Sequence, residues 1–220
     1  MTNVAAIIPA RPAEPFLREA VESVLRQPEI AELVIATHQN GTPTANLAVC
    51  HPDSRVRLVI SNGPSAGENL DAGIAATESE WLAFLDADDL WPEGRIAAGL
   101  HAAGEVTGCQ LILGLQQAMT ADGALLEQQT EWAMLGAALI TRGAASRLGP
   151  LGNSLIAPMR WMLRARDLGI PTVELPEVLL YRRGHEANLT RRQRPALHQE
   201  YLKLARERSA MYQQHRKDES

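Results

Sequence analysis

Trp81-Leu82-Ala83-Phe84-Leu85-Asp86-Ala87-Asp88-Asp89-Leu90-Trp91-Pro92 joins an apolar run to three clustered carboxylates. Five uncharged residues read as a buried strand, and Pro92 with Glu93 reads as the start of a helix. The carboxylates then fall on the turn at the strand's carboxyl end, where ligands bind in open α/β sheets. Like charges so close repel one another, and a cation offsets that cost. A hard divalent ion, Mn²⁺ or Mg²⁺, takes one or two carboxylates plus substrate phosphates. Asp86 and Asp88 therefore suit a metal-bound diphosphate better than a closed protein cage. A lone Asp-x-Asp turn reads more simply as the cap of the helix at Pro92, and Asp89 is given that capping role.

Outward from this stretch, short apolar runs near Val4–Pro9, Glu32–Thr37 and Arg57–Ile60 alternate with segments of helical spacing. That is the pattern of a parallel sheet with crossover helices. Phe16, Leu17, Ala20, Val21, Val24 and Leu25 share one helical face, read as core. Beyond Gly104, Leu111–Leu115 and Ala137–Thr141 read as strands of a mixed sheet, with a turn at Ala121-Asp122-Gly123. A helix is expected from about Ser154 to Leu168, closed by Gly169 and Pro171. Residues 1–193 form the expected domain, and 194–220 a charged helical tail. The tail's apolar face (Leu197, Tyr201, Leu204, Ala205, Met211, Tyr212) offers a surface to the domain or to a second copy in a homodimer.

The 220 residues, 45% of them hydrophobic, suffice for a full α/β core. A net charge of −5 argues against a general nucleic-acid binder, although Arg182, Arg183, Arg191, Arg192 and Arg194 cluster near the C-terminus. Cys50 and Cys109 make no disulfide framework, and neither a leader nor an 18-residue apolar run is evident. The cytoplasm is the default location, with no integral membrane segment.

Four ordered elements give the chain a resemblance to the family-2 glycosyltransferases of the GT-A fold. They are Val4-Ala5-Ala6-Ile7-Ile8-Pro9 with the Phe16–Gln27 helix; Gly67-Glu68-Asn69-Leu70-Asp71-Ala72-Gly73; Leu85-Asp86-Ala87-Asp88-Asp89; and Arg183-Gly184-His185-Glu186-Ala187-Asn188-Leu189-Thr190. The resemblance implies a Rossmann-like α/β/α sandwich with a mixed central sheet and a C-terminal helix. It also implies metal-dependent transfer of a sugar from a nucleotide-diphosphate sugar, UDP- or GDP-linked, to an unknown acceptor. By position it gives Asp88, Asp86 and His185 to the metal. Pro9, Ala10, Arg11, Thr37, His38, Asn69, Asp86 and Arg183 go to the nucleotide sugar, with Arg182 as a further phosphate contact.

Three departures from the family pattern stand out. Glu68 replaces an arginine, and an anion facing a diphosphate is unfavourable unless it points elsewhere or meets the metal. After the second strand the usual aspartate is missing from Val34-Ile35-Ala36-Thr37-His38-Gln39-Asn40-Gly41, so a neutral turn is expected to select weakly among bases. The acidic pair that carries the general base falls on Ala157 and Pro158, and Gly149 to Leu163 contains no Asp or Glu. No catalytic residue is therefore assigned; Glu131, Glu177, Glu186 and His185 are substitutes of ordinary surface type. The rival reading is a catalytically degenerate GT-A protein that binds a nucleotide sugar or a partner. A nucleotidyltransferase fits less well, because Ala10-Arg11-Pro12-Ala13-Glu14-Pro15 has no glycine.

Overall fold

β1 (Val4–Pro9) is buried along its whole length, as a strand covered by helices on both faces must be. The computed structural model describes residues 3–40, 42–130, 134–185 and 194–218, with the side chains at 128–130, 211, 212 and 214–218 left aside. β1 pairs in parallel with β2 (Ile30–Thr37) and β4 (Trp81–Phe84), and β2 pairs in parallel with β3 (Val56–Ile60). β7 (Ala138–Thr141) runs antiparallel between β4 and β5 (Leu111–Met119). β6 (Leu125–Thr130) forms a hairpin with β5, and β8 (Thr172–Arg183) pairs in parallel with the other edge of β5. The carboxyl ends of β1, β4, β5 and β8 thus share one edge of a mixed eight-stranded sheet.

Alternate residues of β1 feed two cores. Val4, Ala6 and Ile8 face Leu17, Val21 and Val24 of α1 (Leu17–Leu25) and Ile96 of α4 (Arg95–Glu105). Ala5 and Ile7 face Leu70 of α3 (Ala66–Ala75), Ala144 and Leu148 of α5 (Arg142–Leu148), and Trp161 of α6 (Ala157–Asp167). Phe84 meets Trp161 edge-on at 5.9 Å, a geometry worth about 0.5–1.5 kcal/mol beyond burial. α2 (Pro43–Val49) packs along β2 and β3. This is the expected α/β/α sandwich.

Several expectations are corrected. α4 begins at Arg95, not at Pro92, after Gly94 turns the chain at φ +72°. Trp91 is buried in the core, which delays the helix by three residues. Asp89 therefore caps nothing: it is buried, and its Oδ1 accepts the Arg183 N–H at 2.8 Å. Glu68 is engaged by its own helix: its carboxylate accepts the Ser65 N–H (3.1 Å) and Oγ–H (2.6 Å) in a capping box that opens α3. β8 was not legible in the sequence, since Pro176 interrupts it and polar residues alternate through its first half. The terminal helix α7 (Arg194–Asp218) is tied to the domain by Ser154–Glu200 (2.8 Å), Arg160–Glu207 (2.6 Å) and Arg208–Asp167 (2.8 Å), leaving Tyr201 and Leu202 exposed. No described helix is long and apolar enough to cross a membrane.

Candidate functional site

The acidic turn after β4 is bolted to the end of β8. Leu90 and Tyr181 exchange backbone hydrogen bonds at 3.0 and 2.8 Å, and Gly184 N–H reaches Met119 O at 2.8 Å. This pairing brings His185 to Asp88 across 97 residues of sequence, Nε2 to Oδ2 at 2.9 Å. The His185 ring lies 4.9 Å from that of Phe16. Phe16, expected in the core stripe, instead forms the wall of the site at the mouth of α1.

Arg183 is buried, and its guanidinium is engaged within the protein. It donates to Asp88 O (3.0 Å), Ala121 O (2.6 Å) and Glu19 Oε2 (2.7 Å), and lies 4.5 Å over the Phe16 ring. Those contacts hold the acidic turn in place. Arg182, half-buried, supplies the positive charge that partly offsets the carboxylates.

That offset is incomplete. Crowding by surrounding atoms, then the Asp88 charge, push the Asp86 carboxyl up to about 6, against the pull of Arg182. Burial, then Asp86 and Asp88, hold Asp89 well above the usual carboxylate range. Asp86 nonetheless keeps solvent contact, which tempers the cost. Because its pKa is raised on folding, the protein holds a proton that the unfolded chain has lost between about pH 4 and 6, so this group withdraws stability progressively over that window and fully above 6. Asp86→Asn is expected to raise the Tm of the metal-free protein at pH 7 by about 2–4 °C, the shift given by roughly 1 kcal/mol once screening is allowed for. At pH 5, midway between the two pKa values, about half of that difference should remain, and below about pH 4 the variant and wild type should melt together; thermal melts across this range check it.

Oxygen donors with uncompensated charge, beside one imidazole nitrogen, fit a hard divalent ion. No group of three such side chains closes around a metal among the described residues. Asp88 and His185, with Asp86 beside them, would hold an ion that takes its other ligands from phosphate.

Two neighbouring regions complete the edge. On one side lie the residues expected at the nucleotide: Pro9 and Ala10 are buried, and the Arg11 guanidinium pairs with Glu14. Thr37 ends β2 fully buried, His38 follows it, and Asn69 is buried with its Oδ1 accepting the Ser61 hydroxyl. On the other side a cavity of about 60 Å³, room for about two waters, is lined by Pro9, Phe84, Asp86, Met134, Gly136 and Pro158 among others. Its far wall is fixed by Arg95, buried over the Trp91 ring at 4.1 Å and donating to Gly136 O (2.6 Å) and Ala138 O (2.8 Å). Burial without a carboxylate partner lowers the pKa of Arg95 to about 9.

Pro158 thus shares a cavity with Asp86, whereas Ala157 is wholly buried against Gly67. Glu177 is exposed six residues before the end of β8, about 20 Å from it at the rise of a strand, and does not reach the site. Glu131, Glu186 and Asn188-Leu189-Thr190 lie outside the described residues. Phe16 and Glu14 went unassigned in the sequence; a helical apolar stripe and a lone loop acid carry no distinguishing signal there.

The family model for glycosyl transferase family 2 matches residues 5–114. The succinoglycan biosynthesis protein ExoO of Rhizobium meliloti (strain 1021) is 29% identical over 133 residues, which cover 59% of this chain and 37% of that protein. Its counterpart ExoU from the same organism is 33% identical over 47% of this chain and 31% of its own. The chain spans about a third of the length of these curated relatives. Among solved structures, the mannosyltransferase PcManGT from Pyrobaculum calidifontis in complex with GDP-Man and Mn²⁺ superposes with a TM-score of 0.60 at 19% identity, over 81% of this chain and 56% of that one.

Proposed function

The chain belongs to glycosyl transferase family 2, and from that premise we propose that it moves a sugar from a nucleotide-diphosphate donor to an acceptor hydroxyl with the help of Mn²⁺ or Mg²⁺. The observation that carries this reading is the meeting of His185 with Asp88 beside Asp86 at the carboxyl edge of the sheet. Donors bound in PcManGT (GDP-Man) and in S. aureus TarS (UDP-GlcNAc; TM-score 0.60, 14% identity, 84% of this chain and 60% of that one) support a nucleotide sugar.

The bound ion would neutralise charge on the departing diphosphate. Asp88 and His185 would hold it, Arg183 fixes the backbone of the acidic turn, and Arg182 would add a positive charge near the phosphates. Thr37, His38, Ala10 and Arg11 take the nucleoside, with Asn69 beside them. The acceptor enters next to Asp86 and Pro158. No described carboxylate there stands apart from the acidic turn to take the acceptor's proton, which makes slow transfer the expectation and keeps a nucleotide-sugar-binding relative as the second reading.

His185→Ala is expected to weaken diphosphate binding by about tenfold or more, the loss typical when a metal site is disturbed, and to leave nucleoside binding unchanged. Calorimetry with UDP and uridine, each with Mn²⁺, separates the two. An equal loss for both ligands would move His185 out of the metal–diphosphate half. Incubation of the protein with UDP- and GDP-sugars and Mn²⁺, followed by release of nucleoside diphosphate, tests the activity itself.

A further inference from the structure

Three buried polar atoms at the carboxyl edge of β1 and β2 have no hydrogen-bond partner among the described residues: Glu14 Oε1, Thr37 Oγ1 and His38 Nδ1. The Thr37 residue is wholly buried, and the Glu14 side chain is only 3% exposed. A buried polar group left unpaired costs more than an ordinary hydrogen bond returns, so three of them in adjoining segments call for an occupant. The segments adjoin because Ala10 N–H donates to Ala36 O (2.8 Å), Thr44 N–H to Pro12 O (3.1 Å) and the Thr44 hydroxyl to Arg11 O (2.6 Å).

Among the described residues Glu14 spends one oxygen on the protein and keeps the other. Both Arg11 contacts, from Nε at 2.9 Å and from Nη2, fall on Oε2. Arg11 covers the carboxylate from outside with 38% of its own side chain exposed. Because both bonds fall on Oε2, a ligand can take Oε1 while Arg11 keeps the buried charge paired.

Resting on the nucleotide-sugar reading above, we infer that Glu14 supplies the base-reading carboxylate that the turn after β2 lacks, and that the base it accepts carries a ring N–H beside a carbonyl, as uracil and guanine do. Glu14 Oε1 accepts the ring N–H. The Thr37 hydroxyl and the His38 ring, in its Nδ1–H tautomer, donate to carbonyl oxygen. Cytosine and adenine turn a ring lone pair toward the carboxylate instead, which leaves the charged acceptor unpaired. The weak base selection expected from Thr37-His38-Gln39-Asn40 alone is thereby reversed.

Competition binding of UDP, GDP, CDP and ADP at fixed Mn²⁺ tests the assignment in wild type, E14Q and E14A, with inorganic pyrophosphate as the probe of the metal half and thermal melts as the check on folding. Wild type is expected to hold UDP or GDP at least about tenfold more tightly than CDP and ADP. Both variants should bring that ratio below about threefold with pyrophosphate binding unchanged. A wild type that treats the four alike, or a preference that survives in the variants, overturns the role of Glu14 alone. Pyrophosphate binding without binding of any nucleoside diphosphate overturns the nucleotide reading and this assignment together.

Discussion

Asp88→Ala abolishes the Mn²⁺ dependence of nucleoside diphosphate binding and weakens that binding by at least about a hundredfold, or roughly 2.7 kcal/mol. The expectation rests on geometry that separates the side chain from the fold. Arg183 grips the backbone carbonyl of Asp88 at 3.0 Å, and Asp89 holds the Arg183 N–H at 2.8 Å, so the turn keeps its shape when the Asp88 carboxylate is removed. What disappears is the oxygen that faces His185 at 2.9 Å. Without it a hard ion would have Asp86 and one imidazole to hold it, too few charged oxygens to compete with water. Asp88→Asn keeps the volume and is expected to lose nearly as much. Titration calorimetry with Mn²⁺ and with EDTA reads both effects, and equal wild-type affinity in the two conditions would remove the metal from the site.

Pro158→Asp should raise transfer by about 10²–10⁴-fold, the usual worth of a positioned general base. Position 158 is chosen over 157 because Pro158 lines the cavity that Asp86 shares, while Ala157 is sealed against Gly67 and has no room for a carboxylate. An aspartate in the first turn of α6 is favoured by the helix dipole. Loss of the proline costs about 0.4–1 kcal/mol through the unfolded chain, little enough to leave the domain folded. The neighbouring Asp86 charge would raise the new carboxyl's pKa toward neutrality, which suits proton abstraction. Pro158→Asn changes the helix start without adding a base and should leave turnover at the wild-type level. Initial rates with a measured acceptor compare the three proteins; equal rates for Asp and Asn would place proton removal elsewhere.

Residues alone determined what depends on near neighbours. Six apolar residues at Val4–Pro9 and the run ending at Asp86 declare buried strands, because a strand covered on both faces has no use for polar side chains. The acidic turn followed at once, since charge this dense after such a strand falls where the sheet's ligands bind. Local chemistry also contained the answer for Glu68: Ser65 and Glu68 stand at capping-box spacing, and the carboxylate closes on its own helix.

Only the tertiary structure decided what depends on sheet order. β8 gains its place from pairing with β5, which no periodicity in a proline-interrupted segment announces, and that pairing carries His185 to Asp88. Phe16 reads as core by helical spacing, yet its position at the mouth of α1 puts its ring against both Arg183 and His185. Glu14 is one loop acid among many until the crossing of the β1 and β2 loops buries it with an oxygen to spare. In each case a strand or helix follows from the energy of its own residues in water, whereas the company a side chain keeps at the sheet edge follows from which distant strands share the same hydrogen-bonded row.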